Sequence, residues 1–157
     1  MTNAAPATEG RTREFTTPSA AETIALGRKL VDFLNPPQLL LLRGELGTGK
    51  TTLVKGIAQA LDAAEPDEVT SPTFTLIHEY DGSHNGKPVK LYHLDVYRLE
   101  SERQLETLGL DDLLTPDALV VVEWGEKFKS IRKRATGEIV IATAGGDARK
   151  ITITLKD

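Results

Sequence analysis

The sequence predicts an α/β fold in which a mixed parallel and antiparallel central sheet is flanked by helices and ends in a C-terminal β-hairpin. Three observations predict it. Two continuous apolar runs, at residues 38–43 and 118–122, have the length of strands buried on both faces. Amphipathic helical segments alternate with such runs, which is the order of an α/β sheet covered by helices. Near the C-terminus, Ile139 and Ile141, then Ile151, Ile153 and Leu155, alternate around Gly145-Gly146-Asp147, as the two arms of a hairpin do.

The elements follow in order. Residues 1–13 are small, polar and Pro/Gly-containing and predict a flexible tail, leaving 14–157 as a single domain. Residues 14–17 suit a short strand. Ser19-Ala20-Ala21-Glu22 matches a capping box, so a helix is expected from 20 to 34, with Ile24, Leu30, Val31 and Leu34 on one face and Pro36-Pro37 ending it. After the strand at 38–43 and a glycine-rich turn, residues 52–61 form a second amphipathic helix pattern. An acidic linker at 63–69 precedes Ser71-Pro72-Thr73-Phe74. Strands are expected at 75–80 and 89–94, with a hairpin loop at 81–86. Ser101 and Gln104 form a second capping box, opening a helix that Gly109 stops. The strand at 118–122 and a basic helix at 127–134 lead to the final hairpin.

Composition bounds the function. The chain has 157 residues, 27% charged and 39% hydrophobic, an ordinary globular balance. It has no cysteine, which excludes disulfides and cysteine-based metal sites. No apolar stretch reaches membrane-span length and the N-terminus has no basic-then-apolar signal, so the expected setting is cytoplasmic, without a membrane partner. A net charge of −4 argues against a large sequence-independent nucleic-acid surface.

The chemistry starts at Gly44-Glu45-Leu46-Gly47-Thr48-Gly49-Lys50-Thr51, which fits the phosphate-binding pattern G-x-x-x-x-G-K-[ST] between a strand and a helix. There, free backbone N–H groups and the helix dipole converge on an anion. The motif sharpens the fold to a P-loop NTPase-like three-layer sandwich and implies ATP or ADP with Mg²⁺. The glycines allow close backbone approach, Lys50 is expected on the β- and γ-phosphates, and the Thr51 hydroxyl on Mg²⁺. Thr52 suits a phosphate contact or a local hydrogen bond.

Such a loop needs an acid at a strand end. Glu123 follows the apolar run 118–122, and Asp95 ends the expected strand at 89–94. Either suits metal binding or positioning of the attacking water, and the alternative for both is capping a turn. Trp124, the sole tryptophan, stands beside Glu123 and suits either an adenine contact or core packing. Thr73 suits a switch-like γ-phosphate contact or a simple turn. His93 alternates with Leu91 and Asp95 on one strand face, and is expected to line the site or to be a satisfied core histidine. Lys127, Lys129, Arg132, Lys133 and Arg134 form the densest basic cluster, a solvated helix end or a contact for RNA phosphates.

Four motifs in series, the loop Gly44–Thr52, Ser71-Pro72-Thr73-Phe74, His93-Leu94-Asp95-Val96-Tyr97-Arg98-Leu99 and Val122-Glu123-Trp124-Gly125-Glu126, resemble the bacterial TsaE (YjeE) family of small ATPases. The resemblance runs from Glu14 to the final hairpin. It implies a role in threonylcarbamoyladenosine modification of the adenosine 3′ of the anticodon in ANN-decoding tRNAs. It also implies weak ATPase activity that resets a complex of the partner proteins TsaD and TsaB. Carried over, the resemblance assigns phosphate binding to Gly47, Gly49, Lys50 and Thr52, and metal binding to Thr51 and Glu123. It makes Asp95 a catalytic or water-positioning acid, Thr73 a switch residue and Trp124 a neighbour of the base. The alternatives are a small-molecule kinase, for which the chain has no obvious arginine-bearing lid, and a nucleotide-gated binding module. A GTPase is disfavoured because no Asn-Lys-x-Asp or Thr-Lys-x-Asp segment is present.

Overall fold

A computed structural model describes residues 11–156 except Leu46, Thr73 and Phe74. The expected tail therefore lies outside the described residues as far as residue 10. Among the described residues one sheet carries seven strands in the order β1-β7-β6-β2-β5-β4-β3. These are β1 (Arg11–Thr17), β2 (Gln38–Arg43), β3 (Ile77–His84), β4 (Lys87–Asp95), β5 (Ala118–Glu123), β6 (Gly137–Thr143) and β7 (Arg149–Leu155). The centre is parallel, with β2 pairing β5 and β6, and β4 pairing β5. The margins are antiparallel: β1 on β7, β7 on β6, and β3 on β4.

Burial follows this division. All six residues of β5 are buried, as the continuous apolar run requires, because helices cover both faces. One face packs Leu40, Leu42, Leu119 and Val121 against α1 (Ala20–Leu30) and α2 (Lys50–Ala60). The other packs Leu39, Leu41, Val120 and Val122 against residues of α3 (Glu102–Glu106), α4 (Leu110–Leu113) and α5 (Lys129–Arg134), among them Leu105, Leu110 and Ile131. The three-layer architecture is thus present.

Both capping motifs operate. Ser19 Oγ accepts from the Glu22 N–H at 3.2 Å, and Ser101 Oγ from the Gln104 N–H at 3.2 Å; such caps contribute about 1 kcal/mol each. Helix α1 lies against α2 at a contact that excludes side chains on both partners. A Cβ on Gly56 would stand 2.0 Å from the Ile24 carbonyl oxygen, and one on Gly27 would stand 2.4 Å from that of Leu53. This closeness fixes α1 beside the glycine-rich turn that precedes α2. Among the described residues no helix is long and apolar enough to cross a membrane.

Several boundaries differ from expectation. Strand β1 begins at Arg11 rather than Glu14, because ladder pairing with β7 orders an edge strand whose exposed, polar residues carry no core signal. Helix α1 stops at Leu30 and finishes in a 3₁₀ turn, Val31–Phe33. Helix α2 begins at Lys50, two residues early. Residues 81–84, expected in a loop, belong to β3; the turn is only Asn85-Gly86, both at positive φ (53° and 79°), as a type I′ hairpin requires. The expected linker at 63–69 holds a 3₁₀ turn, Pro66–Glu68, whose end Lys55 Nζ ties down through the Pro66 and Val69 carbonyls at 2.7 and 2.9 Å. The basic helix starts at Lys129, after a 3₁₀ turn Gly125–Lys127.

Candidate functional site

The parallel strands place their carboxyl ends on one rim, where β2 runs into the glycine turn and then α2. Gly49 is the N-cap of α2 at φ 99°, in the left-handed region a side chain rarely adopts. Its N-cap supplies no side-chain cap, and uncapped first-turn N–H groups at a helix start are suited to receive an anion. Thr48 is buried and braces the turn from inside: its hydroxyl donates to the Glu45 carbonyl at 2.8 Å and its N–H to the same oxygen at 3.3 Å. Glu45 itself is exposed.

Lys50 is 6% exposed, an unusual burial for a lysine, and is held by three neighbours. Its ammonium donates to the Gly44 carbonyl at 2.7 Å and lies 3.8 Å from Glu123 Oε1. It also stands 4.3 Å above the centre of the Trp124 ring, a cation–π distance. Trp124 reaches there because its own backbone is left-handed, φ 67°, which turns the chain sharply at the end of β5. The indole, which suits a base contact or packing, here lies on the lysine, and Tyr97 packs against it with ring centres 5.0 Å apart.

The two candidate acids are in register neighbours, Asp95 on β4 opposite Glu123 on β5. Both are buried. Glu123 Oε2 meets His93 Nε2 at 2.5 Å, and since a carboxylate only accepts, that nitrogen carries the proton. Asp95 Oδ1 accepts from the Tyr97 N–H at 2.9 Å. Burial pushes the Asp95 carboxyl above the usual range and the Glu123 charge adds to this, while the Tyr97 N–H pulls the other way.

Gly47, Gly49, Lys50, Thr51, Thr52, Asp95, Glu123 and Trp124 line one cleft of about 360 Å³, together with Ser71. The cluster joins residues from four separate segments of the chain. Leu46 and Thr73 lie outside the described residues. The basic cluster is not part of the cleft lining. Arg132 donates to the Glu126 carbonyl at 2.6 Å, Arg134 pairs with Asp111, and Lys127 donates to the Tyr97 carbonyl at 2.7 Å, so three of its five cations serve the fold locally.

One participant had no sequence signal. Arg149, on β7, donates from Nε to the Thr48 carbonyl at 2.6 Å and from a terminal nitrogen to that of Gly47 at 3.4 Å. It thereby ties the hairpin to the glycine turn. Nothing in its neighbourhood marks it, because its partners lie about a hundred residues earlier in the chain.

A family model described as threonylcarbamoyl adenosine biosynthesis protein TsaE matches residues 17–151. The chain belongs to the TsaE family. It is 40% identical over 141 residues to the tRNA threonylcarbamoyladenosine biosynthesis protein TsaE of Bacillus subtilis, covering 90% of this chain and 84% of that protein. With the protein of the same name from Treponema pallidum it shares 36% identity over 135 residues, covering 86% and 95%. The fold matches the crystal structure of Bacillus subtilis YdiB with a TM-score of 0.66 at 32% identity, covering 94% of this chain and 88% of that one. As a family member, the chain has its role in tRNA threonylcarbamoyladenosine biosynthesis, and its architecture is that of the family.

Proposed function

We propose that the chain is a Mg²⁺-dependent ATPase acting on a complex of TsaB and TsaD, so that threonylcarbamoyl transfer to the adenosine 3′ of the anticodon can proceed through repeated cycles. The observation that carries the reading is the convergence of Lys50, Thr51, Asp95 and Glu123 on one cleft at the N-terminus of α2.

The donor set suits Mg²⁺. Among the described residues no cluster of three His, Cys, Asp or Glu side chains forms a ready-made cage. Mg²⁺ beside phosphates needs only one or two protein oxygens and keeps its waters, and Thr51 and Glu123 offer a hydroxyl and a carboxylate to the same cleft. When bound, the ion supplies charge stabilisation on the β- and γ-phosphate oxygens. Lys50 exchanges the Gly44 carbonyl for phosphate oxygens, and the first-turn amides of α2 hold the rest. Asp95, whose raised pKa suits a group exchanging protons with water, orients the attacking water in line with the γ-phosphate. The described cleft lining includes no arginine, which supports slow turnover alone and stimulation by partners.

The test pairs two assays. Nucleoside mass spectrometry on tRNA from depleted cells should show threonylcarbamoyladenosine lost, restored by the wild type and not by Lys50→Ala. Purified protein should release phosphate slowly without a small acceptor, and faster with TsaB and TsaD. Restoration of the modification by Lys50→Ala, or turnover that demands a small-molecule acceptor, overturns the reading; the second outcome would point to a kinase.

A further inference from the structure

His93 has no exposed surface at all, and it bonds to an acid that lines the cleft. Its Nε2 meets Glu123 Oε2 at 2.5 Å, while its Nδ1 has no hydrogen-bond partner among the described residues. Among the described residues the ring therefore makes one polar contact, and that contact is to the acid proposed for the metal. The two oxygens of Glu123 are thus differentiated: Oε2 is occupied by His93, and Oε1 is the oxygen on the Lys50 side, 3.8 Å from the ammonium.

That 3.8 Å gap is informative. A carboxylate and an ammonium left to themselves close to about 2.7–2.9 Å. Closure would put Glu123 onto Lys50 and withdraw both from a ligand in the cleft. His93 pins the opposite oxygen, while the Gly44 carbonyl holds the ammonium at 2.7 Å and the indole of Trp124 lies on it, so the pair stays apart.

We infer that His93 is a positioning residue: by holding Glu123 Oε2 it keeps Oε1 turned toward the cleft for a divalent cation and prevents Glu123 from closing on Lys50. The inference rests on the proposed Mg²⁺–nucleotide reading of the cleft. An outer partner of this kind acts through ligand orientation, and its loss typically weakens metal affinity about 10–100-fold.

The experiment measures binding of a fluorescent ADP to the purified full chain, in saturating Mg²⁺ and in EDTA, with a Mg²⁺ titration between them. His93→Leu should lose the Mg²⁺-dependent gain in affinity, shifting the Mg²⁺ midpoint up by about 10–100-fold, and bind ADP in EDTA about as the wild type does. His93→Gln, whose amide nitrogen can stand near the Nε2 position, should recover most of the Mg²⁺ response; the shorter His93→Asn should not. Gln and Asn carry the test if the leucine variant fails to fold, since both place an amide in the same pocket and differ in reach. An unchanged Mg²⁺ midpoint in His93→Leu, or equal midpoints for Gln and Asn, overturns the inference while leaving the nucleotide site standing. Wild-type protein that binds no ADP, or binds it with no Mg²⁺ response, overturns the underlying reading and the inference with it.

Discussion

The ends of β4 and β5 are neighbours in one ladder and opposite in chemistry. Glu123 has a polar partner toward each oxygen: the Lys50 ammonium 3.8 Å from one and the His93 ring nitrogen 2.5 Å from the other. Asp95 has a single backbone N–H, from Tyr97, and the Glu123 charge beside it. Of the two buried acids side by side, Glu123 is partnered on both oxygens, and Asp95 is displaced toward its neutral form by burial, with the Glu123 charge adding to this. The difference suggests a division of labour, with Glu123 suited to hold a cation and Asp95 suited to handle water.

Removing Lys50 should break the comparison most completely, since its ammonium is the cation facing Glu123. Lys50→Ala is expected to lower ATP turnover by at least about a hundredfold, the scale of losing one preorganised electrostatic group, as read by phosphate release. Glu123→Gln comes next. It keeps an acceptor for His93 and loses the charge, so turnover should fall about tenfold to a hundredfold through a weaker Mg²⁺ response, with Mg²⁺-free ADP binding retained. Equal Mg²⁺ titrations for this variant and the wild type would move the metal role to Asp95.

Asp95→Asn sharpens the contrast through pH. Because the folded pKa is raised, the Asp95 contribution to stability is fully present below the ordinary carboxylate value of 3.8 and is lost as pH rises through the higher folded value. An asparagine can still accept from the Tyr97 N–H and never ionises. The variant should therefore melt slightly above the wild type at pH 7, with the gap closing near pH 3, while turnover falls. A melting difference that grows toward low pH would reverse the sign and remove the assigned cause. The smallest effect is expected at Trp124. Trp124→Leu loses a cation–π contact with Lys50 of about 0.5–2 kcal/mol, which should change ADP affinity by no more than a few tens of times. In the wild type, ADP should alter the fluorescence of this sole tryptophan by drawing Lys50 off its ring.

Much of the fold was legible because buried parallel strands announce themselves as unbroken apolar runs, and 38–43 became β2 with its bounds unchanged. Cap chemistry was legible for the same local reason: Ser19 and Ser101 each act on an N–H three residues ahead. The first three residues of β1 and the outer half of β3 were not, since edge strands are made by backbone pairing and their side chains remain exposed.

The same boundary runs through the candidate site. The glycine turn, Lys50, Thr51 and the acids at two strand ends could be read in advance, because each owes its position to a short stretch: a turn needing positive φ, a helix start, the last residue of an apolar run. The sequence by itself determined those elements, the layered α/β class and the family resemblance. Only the tertiary structure decided that Trp124 lies on Lys50, that Arg149 ties the hairpin to the glycine turn, and that His93 holds Glu123. These contacts join strands and loops from 30 to about 100 residues apart. Their geometry depends on strand register and helix placement, which no local pattern of residues encodes.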